Sequence, residues 1–282
     1  MFAHVFRTES NHVPFPHIDP IAFALGPIVI RWYALAYLAG VLLGVLYGAS
    51  LLKRRTLWAG NTPPFNKADW YDFGFWAVIG IIVGGRLGYV LLYNPAYYLS
   101  NPLQILQTWD GGMSFHGGLL GIVTAMVIFT YRKGGDPLSG IDILGAVSPI
   151  GLLLGRIANF INGELFGRET NLPWGVIFPG GGEFPRHPSQ LYEAALEGIL
   201  LFLFLRYITH VKYGLRKPGL VAGIFGVGYA TARILVETVR LPDPDKGYLF
   251  GGWLTYGMVL SVPLLLAGIG LIVYANRKNR SV

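Results

Sequence analysis

Long apolar runs separated by short polar connections dominate this chain, and the lengths of the runs indicate its architecture. A helix needs about 20 mostly apolar residues to cross the roughly 30 Å of hydrocarbon in a bilayer. Seven stretches approach that length, the third and fourth only with flanking residues: 24–51, 72–93, 117–131, 141–159, 190–209, 219–238 and 253–275. Glycine is frequent within them, as expected where helices pack closely in lipid. The pattern predicts an all-α polytopic membrane protein with about seven transmembrane helices.

Neither an internal repeat nor a linker between soluble domains is evident, so residues 1–282 are interpreted as one transmembrane domain. Residues 1–23 are polar and proline-rich, without the basic, apolar and small-residue order of a cleavable signal. We expect them to lead into the first span from the periplasmic side. The three histidines of this segment fit no standard metal-ligand spacing, which favours solvated or headgroup-facing positions: His4, His12 and His17.

Composition supports a membrane protein, and the charges predict its orientation. Only 13% of the residues are charged, about half the share usual in soluble domains. Thirteen lysines and arginines fall on one side: Lys53, Arg54, Arg55, Lys67, Arg132, Lys133, Arg206, Lys212, Arg216, Lys217, Arg277, Lys278 and Arg280. Five fall on the other: Arg7, Arg168, Arg186, Arg240 and Lys246. Because positive charge concentrates in cytoplasmic loops, we expect a periplasmic N-terminus, a small periplasmic loop region and a cytoplasmic C-terminus. The net charge of +7 is then a topology signal and not a nucleic-acid patch.

Four arginines fall inside the predicted spans, where an unpartnered charge costs several kcal/mol. They are Arg31, Arg86, Arg156 and Arg233, and the predicted orientation places all of them in the outer half of the membrane. Structural ion pairs have no reason to prefer one leaflet, whereas a site for an anion presented from the outer leaflet does. For Arg31 and Arg86, contact with lipid and bracing of the bundle both remain open.

The sixth span carries the most regular polar pattern. Tyr229, Arg233 and Glu237 follow an i, i+4, i+8 spacing and therefore share one helix face. One interpretation is an intrahelical pair in which Glu237 neutralises Arg233. The other is that Glu237 orients the guanidinium so that it binds a phosphate with two hydrogen bonds.

A second polar stretch, "GRIANFINGELFGR" (residues 155–168), follows the apolar run of the fourth span. Arg156 and Asn159 share a face near the helix end, and no acidic residue lies within the preceding turn to pair with Arg156. Asn162 and Glu164 fit either turn and capping roles or a role in binding. Gly167 permits close backbone approach or a positive φ.

A histidine flanked by glycines introduces the third span in "WDGGMSFHGGLLG" (residues 109–121). His116 is able to accept a proton near neutral pH, and backbone N–H groups near a helix start favour anions. An ordinary interfacial histidine is the alternative. The stretch "RHPSQLYE" (residues 186–193) opens the fifth span, and there capping and substrate contact are both open.

The absence of cysteine and of several catalytic motifs narrows the possible classes of reaction. The chain has no cysteine, which excludes disulfides, a thiolate nucleophile and Cys-ligated metals. It also lacks a GxSxG elbow, an HExxH motif, a P-loop and a dinucleotide-binding fingerprint. Phosphate-binding arginines and a histidine base without an internal nucleophile suggest direct transfer between two bound substrates, one of them an anionic lipid. No metal or cofactor is expected.

Five motifs together closely resemble the bacterial prolipoprotein diacylglyceryl transferase family, from about Phe15 to the last span. They are "RWYALAYLAG" (31–40), "GGRLGYVLLYN" (84–94), "DGGMSFHGGLLG" (110–121), "GRIANFINGELFGR" (155–168) and "RHPSQLYE" (186–193). The resemblance implies an enzyme of the bacterial inner membrane with seven spans and a periplasmic active site. It would transfer the sn-1,2-diacylglyceryl group of phosphatidylglycerol to the lipobox cysteine of a preprolipoprotein signal peptide, releasing glycerol 1-phosphate. Its partners are these two substrates and membrane lipids, without nucleic acid.

The resemblance also implies roles for individual residues. The family's important histidine falls on His116, and its phospholipid-binding arginines fall on Arg156 and Arg233. We expect Arg233 to stabilise the leaving phosphate and His116, with Tyr33, to deprotonate or orient the thiol that attacks the glyceryl C3 carbon. The remaining candidates for binding phosphatidylglycerol are Asn159, Gly167, Tyr229, Glu164, Glu237 and Arg86.

Two stretches depart from the pattern of the family, and two other classes of protein compete with it. The segment between Asn171 and Arg186 is short, and "TYGMVLS" (255–261) has Gly-Met where the family often has Gly-Gln. A transporter or channel for an anionic solute predicts polar groups in both leaflets and often inverted repeats. A purely structural membrane subunit leaves the one-sided arginines unexplained.

Overall fold

The computed structural model describes residues 13–16, 18–92, 95–108, 111–242, 248–249 and 252–278. Several residues used in the sequence interpretation lie outside these ranges: His4, Arg7, His12, His17, Asn94, Trp109, Asp110, Lys246 and Arg280. Most of the lead-in predicted over residues 1–23 also lies outside them.

Helices form most of the described chain. They are α1 (Trp32–Lys53), α2 (Lys67–Leu92), α3 (Pro95–Ser100), α4 (Phe115–Arg132), α5 (Pro137–Ile161), α6 (Ser189–Glu193), α7 (Leu201–His210), α8 (Leu220–Glu237) and α9 (Tyr256–Lys278). A π-helical segment, Ala194–Leu200, joins α6 to α7. Short 3₁₀ turns occupy Arg55–Leu57, Ala59–Asn61, Pro102–Leu106 and Gly214–Arg216.

Five of these helices are long and apolar enough to cross a membrane: α1, α2, α5, α8 and α9. The structure thus confirms a mostly helical protein with several membrane-spanning candidates. The predicted spans 117–131 and 190–209 correspond to the 18-residue α4 and to the run from α6 through the π-helical segment to α7. The count of seven and the orientation stay predictions.

The predicted start of the first span at residue 24 is wrong. Residues 21–31 form an antiparallel hairpin of β2 (Ile21–Leu25) and β3 (Ile28–Arg31), and α1 begins only at Trp32. The β-branched residues favour strand, and Gly26, at a φ of +59°, forms the tight turn between them. Arg31 therefore ends a strand and does not lie inside a helix.

Two further strand pairs are short. β1 (Val13–Pro14) pairs in parallel with β4 (Val176–Ile177), and β5 (Tyr248–Leu249) pairs antiparallel with β6 (Leu254–Thr255). The last predicted span, 253–275, accordingly begins as strand and becomes helix at Tyr256.

The chain divides into two compact units. The first contains residues 1–42, 149–203 and 227–266, and the second contains residues 43–148, 204–226 and 267–282. In the second unit α2 and α4 contact each other through glycines. A Cβ on Gly84 would lie 2.3 Å from the carbonyl oxygen of Gly117, and one on Gly121 would lie 1.9 Å from that of Gly80. The glycine content of these spans thus allows direct backbone contact.

In the first unit an aromatic core holds the connection between α5 and α6. Phe15 and Phe178 are buried, with their ring centroids 5.5 Å apart, and Phe160 and Phe166 pack against them. Because Phe160 belongs to α5 and Phe178 to the connection, this core fixes residues 162–188 against the end of the helix.

Candidate active site

Three helical segments of the first unit bring most of the predicted polar residues together. The end of α5 carries Arg156 and Asn159, while the end of α8 carries Arg233 and Glu237. Glycines bring the third segment, α6 with the π-helical segment, close to both. A Cβ on Gly198 would lie 2.7 Å from Leu153 Cβ of α5, and one on Gly228 of α8 would lie 2.6 Å from Leu201 Cδ1.

Glu193 lies at the centre of the resulting ion-pair cluster. Its carboxylate is fully buried and pairs with Arg156 Nη1 at 3.2 Å, with Arg240 Nη1 at 3.1 Å and with Arg233. Arginines from α5 and α8, far apart in sequence, therefore meet on one carboxylate. Such a pairing offsets much of the cost of burying these charges.

Two further carboxylates complete the cluster. Glu197 accepts hydrogen bonds from Arg156 Nε at 3.4 Å and Nη2 at 3.3 Å. Glu237 pairs with Arg233 one turn earlier on α8, and Thr255 Oγ1 donates to Glu237 Oε2 at 2.6 Å. The intrahelical Arg233–Glu237 pair, one of the two interpretations that the sequence left open, is thus present, and Arg233 also has a partner on another helix.

Gly257 explains how Glu237 fits beside α9. A Cβ at this position would lie 2.3 Å from Glu237 Oε1. The Gly-Met pair in "TYGMVLS" therefore begins with a residue that touches the cluster, while the Met258 side chain is nearly buried.

The cluster presents its cations and not its carboxylates. The side chains of Arg156 and Arg233 are 15% and 16% exposed, whereas those of Glu193 and Glu197 are fully buried. An anion that approaches this region meets guanidinium groups first. Guanidinium forks bind phosphate with two parallel hydrogen bonds, so the arrangement suits a phosphate group.

The end of α5 continues into a turn that carries the other predicted residues. Asn159 Nδ2 donates to Glu164 Oε1 at 2.8 Å, and the backbone N–H of Glu164 bonds to the carbonyl oxygen of Asn159 at 3.1 Å. Gly163 has a φ of +65°, as the turn requires. Asn162 Nδ2 lies 3.4 Å from Glu164 Oε1. Asn162 and Glu164 therefore form the turn, and this contact is compatible with either role open in the sequence.

Tyr33 and Tyr229 lie near these groups within the first unit. The Tyr33 hydroxyl is 3.1 Å from that of Tyr37 and lies within electrostatic reach of Asn159 and Glu164. Tyr229, on α8, lies within electrostatic reach of Arg156 and Glu197.

Gly167 permits a close backbone approach and does not have a positive φ. A Cβ there would lie 2.5 Å from the Val239 carbonyl oxygen and 2.7 Å from His187 Cβ. Its N–H bonds to the His187 carbonyl oxygen at 2.8 Å, and it forms an antiparallel bridge with Arg240. Burial lowers the pKa of the His187 imidazole, and the charge of Arg168 lowers it further. Gly167 thus joins the loop to the chain after α8.

His116 and Arg86 belong to the second unit. His116 is half-buried in the first turn of α4, whose N-cap Ser114 accepts a hydrogen bond from the Gly117 N–H at 3.2 Å. Arg86 is only 5% exposed and donates to the carbonyl oxygens of four residues: Gln104, Ile105, Gly111 and Gly112. The guanidinium carbon Cζ of Arg86 lies 5.2 Å from the centroid of the Tyr98 ring. These contacts favour bracing over lipid contact for Arg86.

Three members of the cluster are missing from the residues selected on sequence. Glu193 is the last residue of the motif "RHPSQLYE", and Glu197 follows it at i+4 on the same helix, but the sequence alone assigns no binding role to either glutamate. Arg240 resembles a loop charge in the sequence, yet it is 5% exposed and pairs with Glu193. An i, i+4 pair of acids inside an apolar run is the sequence signal that could have identified the two glutamates, because buried carboxylates need cationic partners.

Comparison with known proteins gives one consistent result. The family model described as prolipoprotein diacylglyceryl transferase matches residues 20–274. A protein of Rhizobium meliloti (strain 1021) named phosphatidylglycerol–prolipoprotein diacylglyceryl transferase is 54% identical over 269 residues, which are 95% of this chain and 96% of that protein. Relatives with the same name in Brucella anthropi and Agrobacterium fabrum are 52% and 51% identical, covering 95% and 97% of this chain and 95% and 98% of their own.

Proposed function

This chain belongs to the prolipoprotein diacylglyceryl transferase family, and from that premise we propose its reaction in full. It is a transferase that moves the diacylglyceryl group of phosphatidylglycerol to a prolipoprotein. The acceptor is the lipobox cysteine thiol of the signal peptide, the product is a thioether, and glycerol 1-phosphate leaves. The observation that carries this function is identity above 50% across nearly the whole length of relatives that bear this name.

The arginine cluster is the proposed site for the lipid phosphate. Arg156 and Arg233 come from different helices, share Glu193 and keep partly exposed side chains. During transfer the C3–O bond of the lipid breaks, and negative charge grows on the leaving glycerol phosphate. Fixed cations aimed at that charge stabilise the transition state more than the ground state.

The other predicted residues act around this phosphate. Asn159 and Glu164 form the turn at the end of α5, and Tyr33 lies near both, so these three are proposed to line the lipid headgroup. Tyr229 and Glu237 orient the two arginines, and Gly167 fixes the loop that faces them. Arg86 is proposed to have a structural role, because it holds the segment whose carbonyl oxygens accept its hydrogen bonds.

The nucleophile is supplied by the substrate, which is compatible with a chain that has no cysteine. His116 is proposed as the base that takes the thiol proton, with Tyr33 as a helper. The new S–C bond forms at glyceryl C3 as the C3–O bond breaks, and the proton leaves with the base. This assignment rests on the sequence motif and is tested by its own variant, His116→Gln, whose unimpaired transfer would leave the thiol without an identified base.

The cellular setting is part of the proposal. The apolar runs favour seven spans. The charge distribution favours an N-terminus in the periplasm and a C-terminus in the cytoplasm. The protein then lies in the bacterial inner membrane as one transmembrane domain, and its active site faces the periplasm.

A reconstituted assay tests this function directly. Purified protein in nanodiscs that contain phosphatidylglycerol is incubated with a lipobox peptide, and mass spectrometry measures the peptide. We expect the mass of one diacylglyceryl group to be added, and no addition with phosphatidylcholine nanodiscs or with a Cys→Ser peptide. Anion flux in sealed vesicles without peptide lipidation would instead favour a transporter and would overturn the proposal.

A further inference from the structure

Glu197 is the least satisfied charge in the cluster. It is fully buried, and both of its hydrogen bonds run through Oε2 to Arg156, at 3.3 and 3.4 Å. Among the residues that the structure describes, none donates a hydrogen bond to Glu197 Oε1. A buried carboxylate oxygen without a donor is costly, because it has lost its water and gained nothing in return.

The other two carboxylates of the cluster are held much better. Glu193 pairs with three arginines through both oxygens. Glu237 pairs with Arg233 through Oε1 and accepts from the Thr255 hydroxyl through Oε2. Neutralising Glu193 would remove a charge that three arginines share, and neutralising Glu237 would remove one of the two carboxylates that pair with Arg233. Neutralising Glu197 would affect only two long hydrogen bonds from Arg156.

Charge balance gives Glu197 a consequence for lipid binding. The cluster pairs three guanidinium groups, of Arg156, Arg233 and Arg240, with three carboxylates, of Glu193, Glu197 and Glu237. A phosphodiester brings one more negative charge, and arginine side chains do not lose their protons in proteins. Among these six side chains, binding the lipid therefore leaves an excess of one negative charge unless one carboxylate takes up a proton.

We propose that Glu197 takes up a proton from solvent as the phosphate of phosphatidylglycerol binds, and so releases Arg156 to the phosphate. This inference rests on the phosphate site proposed above. In this step the Glu197 carboxylate takes up one proton and becomes a carboxylic acid. The lipid binds as a monoanion, so atoms and charge balance. Glu197 is a positioning residue here, because it acts through Arg156 and does not touch the reacting atoms.

The groups around Glu197 favour this assignment. Arg156 faces it from α5, Arg233 and Tyr229 face it from α8, and Glu193 lies on its own helix. The neighbouring carboxylate of Glu193 disfavours a second negative charge, whereas the two arginines favour it. When the phosphate engages the arginines, their support for the Glu197 charge weakens and the repulsion remains. The π-helical segment that carries Glu197 is a distortion often found at functional sites.

Calorimetry of lipid binding tests the proposal. A short-chain phosphatidylglycerol is titrated into the detergent-solubilised full chain in two buffers of different ionisation enthalpy, over a range of pH. Wild type should take up about one proton per lipid wherever Glu197 is ionised in the free protein and protonated in the bound one. In that window the affinity should fall about tenfold per pH unit as the pH rises.

Glu197→Gln mimics the protonated side chain and should still bind the lipid, with no proton uptake from this site and a nearly flat pH dependence of the KM for phosphatidylglycerol. Glu169→Gln is the matched control, since Glu169 is an exposed acid of the same unit that pairs with Arg186, and it should behave like wild type. Thermal unfolding in detergent verifies that both variants fold.

Three results would overturn the proposal. Normal lipid binding and transfer by wild type without proton uptake at any pH would remove the role of Glu197 and leave the phosphate site intact. Proton uptake that persists unchanged in Glu197→Gln would assign the proton to another group. If wild type transferred the diacylglyceryl group but Arg156→Ala and Arg233→Ala bound the lipid normally, the phosphate site itself would fail, and the role of Glu197 with it.

Discussion

Two arginine sites in this protein satisfy their charges in opposite ways. In the second unit, the buried Arg86 donates hydrogen bonds to the main-chain carbonyl oxygens of residues 104, 105, 111 and 112, at distances from 2.6 to 3.1 Å. In the first unit, Arg156 and Arg233 pair with the carboxylates of glutamate side chains. Carbonyl oxygens cannot leave Arg86 unless the segment itself moves, whereas a carboxylate is able to rotate or take up a proton.

The difference shows that an arginine within a predicted span does not by itself identify a ligand site. Arg86 is more buried than Arg156 or Arg233, and its sequence motif left lipid contact open. What distinguishes the two sites is the exchangeability of the partners. An anion is able to replace a carboxylate at Arg156 with little change in the backbone, but at Arg86 it would have to displace four carbonyl oxygens. The predictions below test this distinction.

Removing Arg233 should produce the largest effect. We expect Arg233→Ala to lower the rate of diacylglyceryl transfer by about 10²–10³-fold, the usual loss when one group that stabilises developing charge is removed. Arg233→Lys should lose less, because it keeps the charge but not the two-pronged geometry. The rate is measured in phosphatidylglycerol nanodiscs, with Arg216→Ala as a control that removes an exposed arginine from the second unit. Equal rates for Arg233→Ala and the control would contradict the assignment.

Removing Arg86 should affect stability more than chemistry. Arg86→Ala leaves buried carbonyl oxygens without their donor, and we expect a loss of about 3 kcal/mol of unfolding free energy. Hydrogen exchange should increase within residues 95–112, because Arg86 no longer holds them. A folded Arg86→Ala protein with intact exchange protection there, but without lipid binding, would reverse the roles given to the two sites.

A side chain at Gly167 tests whether the arginine cluster needs a rigid frame. Gly167→Ala places a methyl group 2.5 Å from a backbone oxygen, so we expect about 1–3 kcal/mol of destabilisation and a lower transfer rate. Gly180→Ala is the matched control in the same loop, because a Cβ there meets no atom within 4 Å. Thermal unfolding of the two variants gives the comparison, and equal unfolding temperatures would show that the loop adapts freely.

The smallest effect is expected at the pair of Arg186 and the exposed Glu169, whose nitrogen–oxygen distance is 3.3 Å. Glu169 is more than half exposed, so Glu169→Gln should cost between about 0 and 1 kcal/mol and depend on salt. Denaturation at low and high ionic strength measures this. A loss as large as that of Arg86→Ala would mean that partner type and burial do not separate these sites.

Sequence patterns predicted the helical architecture and several of the residues that form the ion-pair cluster. The i, i+4, i+8 spacing of Tyr229, Arg233 and Glu237 correctly predicted a shared helix face and left the Arg233–Glu237 pair as one of two interpretations, and apolar runs indicated the approximate helix positions. The hairpin before α1 was not predicted, because its apolar residues continue the hydrophobic run of the first span. Only the Gly-Pro turn and the β-branched residues distinguish the hairpin from a helix.

The partners of Arg156 could not be predicted from local spacing. Glu193 and Glu197 lie 37 and 41 residues further along the chain, and no helical period relates them to Arg156. Their contact depends on the approach of the π-helical segment to α5 at Gly198, which is a tertiary feature. Arg240 was missed for a related reason, since its position beyond the last turn of α8 resembles that of an ordinary loop charge.

The central claim is that the cluster of the first unit, and not Arg86, binds the phosphate of phosphatidylglycerol. Equilibrium binding of phosphatidylglycerol by native mass spectrometry, compared among wild type, Arg156→Ala, Arg233→Ala and Arg86→Lys, tests it most directly. The account predicts a loss of binding of at least about tenfold in each cluster variant, roughly the 1.4 kcal/mol expected for one charged hydrogen bond. It predicts wild-type binding for folded Arg86→Lys. Wild-type binding in both cluster variants, or loss of binding only in Arg86→Lys, would contradict it.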